Sequence, residues 1–279
     1  MIDYIESKNL PSRGVPYLND FRIEIESLSL GDVLHMSNEN LDIVDIYNFR
    51  AKKIRPDILI DSLELTPQDF YFCCFYQDYI SIEKDDFAID FKCKNENCEC
   101  YQLDKKNKEK TPEEYGIREV ILKYSDINFE DFSIEKLPLN YIKDGQKFEF
   151  KPLSMRTLKI LMKKNLKNDI IAKFASYLDI KLELSEDLLK KYSNLENNPD
   201  KWAEIKLEKA IELINQKFSL KEMNLFKDID NKFNHGVTPI KVICEYCKEE
   251  NRITISTAYT VIRSFRKDFG IIGDEIQFG

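Results

Sequence analysis

The chain has 279 residues, 43% of them hydrophobic and 33% charged, which is enough material for one large globular domain or two smaller ones. Its formal net charge of −8 argues against a general nucleic-acid binder, whose affinity comes from neutralising phosphates, and against attachment to an anionic membrane surface. No apolar run approaches the roughly 20 residues that span a bilayer, and residues 1–9 carry no apolar signal region.

Seven cysteines, several of them adjacent or one residue apart, do not read as a secreted disulfide framework, so a reducing cytosol is the expected setting. Residues 10–17, Leu10-Pro-Ser-Arg-Gly-Val-Pro-Tyr17, hold two prolines and a glycine without periodicity. They predict an extended arm lying on another surface, because proline fixes φ and removes a donor. Phe21, Ile23 and Ile25 then alternate with charged residues, as in a half-buried strand.

A helix is expected over residues 41–54. Thr66-Pro67-Gln68-Asp69 reads as a helix start, with a capping threonine, proline in the first turn and an acid three residues on. The run from Phe70 to Tyr76 is apolar almost all round, which predicts a buried helix. Strands follow at Phe87, Ile89 and Phe91 and over residues 120–124. Tyr141, Ile142, Phe148 and Phe150 flank Asp144-Gly145 as a hairpin with a tight turn.

From Ser154 to Phe233 the apolar period becomes helical. Leu158 with Leu161 and Met162, then Ile170 with Phe174 and Leu178, then Leu207 with Ala210, Ile211 and Ile214 form stripes. Ser219-Leu-Lys-Glu222 is a capping box. Core stripes with solvated charged backs are the plain reading of this region. After Gly236 the strand pattern returns over residues 240–243 and at Ile253 and Ile255.

Cys244-Glu-Tyr-Cys247 sits between two short strand runs, and such a turn is half of a zinc ribbon because it aims two thiolates at one point. A second half is offered by Cys93, Cys98 and Cys100, which follow another strand with irregular spacing. If the halves meet, the helical region is an insertion between two parts of one β domain. A shared structural zinc, unliganded reduced thiols, and two separate metal arrangements all remain open at this stage. Cys73 and Cys74, inside the apolar helix, read as packing residues.

Other signatures are thin. His35 reads as structural, and His235 before Gly236 as a helix end that is also a candidate substitute ligand. Eight glycines form no phosphate loop, nucleophile elbow or dinucleotide fingerprint. Pro56-Asp57 followed by Asp90-Phe-Lys92 has the residue order of restriction-type nucleases, but a helix intervenes. No enzyme is expected. A C-terminal stretch with Ser256, Arg263, Arg266 and Lys267 resembles a recognition helix, so a zinc-ribbon DNA-binding regulator is the alternative reading.

Several features together resemble the baseplate hub proteins of T-even-type contractile bacteriophages. They are Leu10-Pro-Ser-Arg-Gly14 with Tyr17, the strand at residues 21–25, the apolar helix containing Asp69, the strand running into residues 93–100, and the Cys244-x-x-Cys247 turn. The resemblance implies a structural or assembly role in the hub and no catalytic residues. It implies protein contacts with hub, tube or wedge subunits, in the virion tail baseplate and, during assembly, the host cytoplasm. Leu10, Pro11, Arg13, Gly14 and Tyr17 are the residues expected to dock on a neighbouring subunit.

The expected fold is α+β, with a discontinuous β domain, a candidate zinc-ribbon element and an inserted helical subdomain. The expected boundaries are an arm over 1–20, a mixed part over 21–153, a helical insertion over 154–236, and a β return over 237–279. The candidate metal ligands are Cys93, Cys98, Cys100, Cys244 and Cys247.

Overall fold

Alternation of Ile5, Ile23, Ile25 and Ile54 with charged neighbours gives three short strands one greasy face each. β1 (Ile2–Glu6), β2 (Arg22–Glu26) and β3 (Ile54–Pro56) pair antiparallel in that order, with Ile5 opposite Ile23 and Ile25 opposite Ile54. The computed structural model describes residues 1–17, 19–38, 40–58, 60–82, 85–91, 93–99, 118–130, 132, 134, 136–181, 198–233, 237–253 and 255. Against the sheet lie α1 (Leu30–Met36) and α2 (Ile43–Ala51), each opened by a reciprocal capping box, Ser29 with Asp32 and Asp42 with Asp45. The helix expected over 41–54 ends at Ala51. Pro56 disfavours helix at the residue before it, and Ile54 joins β3 instead.

The apolar helix is α3 (Pro67–Ile82), and it closes this first core with Phe70, Cys73 and Cys74, all fully buried. Gln77 and Asp78, near its C-terminal end, are buried too, because they meet one guanidinium. Arg50 donates through Nε to Gln77 at 3.0 Å and through Nη2 to the Cys74 carbonyl at 2.7 Å, and it pairs with Asp78. A lone buried charge would cost several kcal/mol, roughly, so the four groups stand or fall together.

Residues 10–17 do not run extended. They turn, with Arg13 at φ 56° and Gly14 at φ 76°, and fold back onto this first core. Leu10 is 2% exposed and belongs to the same cluster as Ile5 and Phe70. Proline alone predicted stiffness; the positive-φ pair at Arg13-Gly14 supplies the reversal.

A second core joins the hairpin β6 (Leu139–Lys143) and β7 (Gln146–Phe150) to α4 (Met155–Lys163), α5 (Ile170–Ser176), α6 (Pro199–Lys217) and α7 (Met223–Phe233). Asp144 and Gly145 both have positive φ, 49° and 77°, as a two-residue primed turn requires. Phe150 stacks on Phe174 at 5.4 Å, and Phe218 and Phe226 meet Phe174 edge-on or tilted. This core begins at Phe132, ahead of the expected boundary at 154, because the hairpin aromatics find their partners on the helices.

The third core is built from both sides of the helical region. β4 (Asp86–Phe91) pairs antiparallel with β5 (Arg118–Lys123), and β8 (Ile240–Ile243) with β9 (Glu250–Ile253). Phe87, Ile89, Leu122 and Tyr124 pack with Val237 and Ile255 under Phe75 of α3. Backbone links close the join, with Thr238 N–H donating to Asn128 O at 2.7 Å. The protein is thus a mixed helix-and-strand structure whose described strands lie in small separate sheets.

Candidate metal centre

Each half of the site is a reversal at the end of a strand. β4 leads into Cys93, and the chain turns back to Cys98, whose N–H donates to Asn95 O at 3.0 Å. β8 leads into Cys244, and a tighter reversal carries Cys247. There Lys248 N–H donates to Cys244 O at 2.9 Å, and Cys244 N–H to Glu249 O at 3.0 Å. Lys248 makes the turn at φ 61°, a left-handed conformation rare for a residue with a Cβ.

The third core brings the two reversals together. Cys93 Sγ lies 3.6 Å from Cys247 Sγ, Cys98 Sγ lies 3.7 Å from Cys244 Sγ, and the four sulfurs all lie within 4.8 Å of one another. A tetrahedral metal with sulfur at about 2.3 Å would set its ligands about 3.8 Å apart. Disulfides would need roughly 2.05 Å. The separations suit four thiolates around one ion and exclude bonded sulfurs.

Burial and local donors set the electrostatics. Cys93, Cys98 and Cys244 are buried, and Cys247 is half-buried. Burial pushes the Cys93 thiol up, to about 12, against a hydrogen bond from the Asn95 backbone. Cys244 is also opposed by burial, but the backbone N–H groups of Cys247 and Tyr246 outweigh it and bring the thiol down to about 7. In both halves, then, the first cysteine accepts from the residue two positions on, so the halves repeat one local geometry on unrelated sequences. Four thiolates this close repel strongly, and a divalent cation is the charge that offsets them.

The site uses four of the five expected ligands; Cys100 and His235 lie outside the described residues. Cys73 and Cys74 stay in the first core, and burial raises the Cys74 thiol to about 12. His35 sits in the last turn of α1 against the ring of Phe49 at 4.9 Å. The two acids of the nuclease-like order stand at different sheets. Asp57, just after β3, accepts from Arg22 N–H at 2.9 Å, whereas Asp90 belongs to β4 in a different sheet, and Lys92 lies outside the described residues. The basic C-terminal stretch also lies outside them.

One participant was missed from sequence. Asn251, on β9, is 6% exposed, and its side chain reaches across to the first half of the site. Asparagine is depleted in strands, so an asparagine at the inward position of a four-residue strand was the available signal.

The segment expected to dock on a neighbour folds against the chain's own first core. Ser12 N–H and Oγ donate to the two oxygens of Asp69 at 3.0 and 2.6 Å, and Tyr17 OH donates to Oδ2 at 2.7 Å. Arg13, an exposed residue, donates to Phe132 O at 2.6 Å. Pro11 and Gly14 are half-buried. Asp69 was expected to close the helix cap; instead its N–H bonds Thr66 Oγ1 while its carboxylate holds this segment.

A cleft of about 310 Å³ lies between α4 and the start of α6. Arg156 is matched there by Asp61, Glu64 and Asp200, and Lys164 by Glu204 and Glu208, whereas Lys159 Nζ is buried without a hydrogen-bond partner, 3.8 Å from Asp200 Oδ2. No protein-family model, curated protein or solved structure matches the chain.

Proposed function

We propose that Cys93, Cys98, Cys244 and Cys247 bind one structural zinc ion and that the protein is a structural or assembly component of a contractile phage tail baseplate hub, working through protein contacts. The observation that carries the metal reading is the four-sulfur cluster with its tetrahedral spacing. Soft thiolates in a tetrahedral set favour zinc or iron over hard cations. Four protein ligands leave no open position for substrate, so the role is structural rather than catalytic.

Such an ion would tie chain segments 154 positions apart and make one discontinuous β domain of the third core, with the helical region as an insertion. A closed, metal-stapled unit of this kind presents rigid surfaces, which lowers the entropic cost of docking. The baseplate reading rests on the sequence resemblance. It gains support from one meeting of its separate motifs: Leu-Pro-Ser-Arg-Gly-x-x-Tyr and the Asp69 helix form a single hydrogen-bonded unit. With Leu10 and Tyr17 engaged there, partner contacts fall to exposed faces.

The test is assembly. Tagged full-length chain should co-purify with hub, tube or wedge subunits from cells making tails, and its removal should leave tails without complete baseplates. Normal tails assembled in its absence would sink the baseplate reading and leave the metal reading standing.

A further inference from the structure

Asn251 lies between the two halves of the cysteine cluster, and its amide is completely engaged. Oδ1 accepts from the N–H of Lys94, next to Cys93, at 2.9 Å. Nδ2 faces Cys93 Sγ at 3.8 Å and Glu249 O at 3.2 Å. The amide orientation is forced. Lys94 N–H can only donate, so oxygen must face it, and Glu249 O can only accept, so nitrogen must face the other side.

Asn251 therefore belongs by backbone to the Cys244–Cys247 half and by side chain to the Cys93–Cys98 half. The register Val242 to Asn251 fixes its base on β9, and burial at 6% exposure removes water as a competing partner. A four-thiolate zinc site carries a net negative charge, and donors to its sulfurs spread that charge. The backbone donors to Cys244 and Cys247 come from their own reversal. Thiols aside, the side-chain donor from the opposite half in these bonds goes to Cys93.

We infer that Asn251 is a positioning residue for the metal, aligning the two halves through Lys94 and supplying an N–H donor to the Cys93 thiolate. The inference rests on the metal reading and deepens it. It predicts which property of the side chain matters. Asn251→Ala removes both the tether and the donor. Asn251→Asp keeps an oxygen for Lys94 N–H but sets a second, charged oxygen against Cys93 sulfur and Glu249 carbonyl. A residue that served only as a tether would tolerate aspartate better than alanine; a sulfur donor would tolerate it worse.

The experiment measures zinc affinity of the full chain by chelator competition, with the cobalt-substituted protein followed by its thiolate-to-metal absorption. Loss of an outer partner of a metal ligand costs on the order of 10–100-fold in affinity, and that loss is expected for Asn251→Ala. Asn251→Asp should bind more weakly still. The cobalt band of the alanine variant should move to lower energy, because a sulfur without its donor gives up electrons more readily; a purely architectural role leaves the band in place. An alanine variant with wild-type affinity, or an aspartate variant that binds more tightly than alanine, overturns the role of Asn251 alone. Wild-type chain that takes up neither zinc nor cobalt overturns the metal reading itself.

Discussion

Tyr17 donates its hydroxyl to Oδ2 of Asp69 at 2.7 Å, across 52 positions of chain. Around that bond Ser12 contributes two more donors and Thr66 N–H donates to the tyrosine oxygen at 3.0 Å. One fully buried carboxylate thus organises the N-terminal turn, the start of α3 and the approach to it.

A pH dependence follows from Asp69. Burial pushes its carboxyl above the ordinary value of 3.8, against the hydrogen bonds from Ser12 and Tyr17 that pull it down. With the folded value raised, the native state holds a proton that the unfolded chain has released, so stability falls as pH rises from 3.8 through the folded value. Asn at this position cannot ionise. The urea midpoint of the wild type, less that of Asp69→Asn, should therefore decrease from about pH 3.5 to about pH 7. A difference that grows over this range would show that the hydrogen bonds, not burial, dominate.

Removal of residues 1–17 should destroy the cooperative folding of the first core. The deletion takes away β1, which covers β2, and it takes away Leu10 and the three donors that Ser12 and Tyr17 give Asp69. Leu to Ala alone in such a site costs about 2–5 kcal/mol, and unpaired partners of a buried carboxylate add to it. The measurement is urea unfolding by tyrosine fluorescence. A truncated chain with an unchanged midpoint would mean that this segment is an accessory arm after all.

Much of the architecture was legible where periodicity and turn chemistry agree. The Thr66-Pro67 start, the Asp144-Gly145 hairpin and the Ser219–Glu222 box lie where sequence puts them, because each rests on local geometry. The strand–Cys–strand pattern also exposed both halves of the sulfur cluster. Other features depended on distant partners. β1 is a strand only because β2 offers it an edge, and the burial of Gln77 and Asp78 makes sense only once Arg50 is opposite them. Asn251 is polar and unremarkable in sequence until Lys94, 157 positions away, is at its oxygen.

Lys248 offers a direct gain in stability. At φ 61° its Cβ crowds the backbone, a cost of about 1–2 kcal/mol that glycine does not incur. Glycine loses more freedom on folding, which returns roughly 0.5–1 kcal/mol. Lys248→Gly should therefore stabilise the metal-bound chain by about 0.5–1 kcal/mol, while Lys248→Val should destabilise it. Thermal melts of the two variants decide the matter; a glycine variant that melts lower would contradict the left-handed turn.

Metal removal should open the protein locally rather than everywhere. The cluster around Cys93, Cys98, Val242 and Cys244 contains few apolar side chains, and β8 and β9 are four residues each, with Ile243 largely exposed. That pair cannot hold its place by burial alone. The ion, by contrast, closes a loop spanning 154 positions, and in the chain-entropy account a cross-link of that length is worth about 5 kcal/mol. The first core, with Arg50 and α3, and the phenylalanine-rich second core do not include the sulfur ligands. Chelation, or Cys244→Ser, should speed amide exchange in β8 and β9 first and in β4 and β5 next, while α3 and α6 remain protected. Hydrogen-exchange mass spectrometry reads this segment by segment. Equal deprotection of all segments would mean that the thiol cluster governs the whole fold, and no change in any segment would remove its structural role.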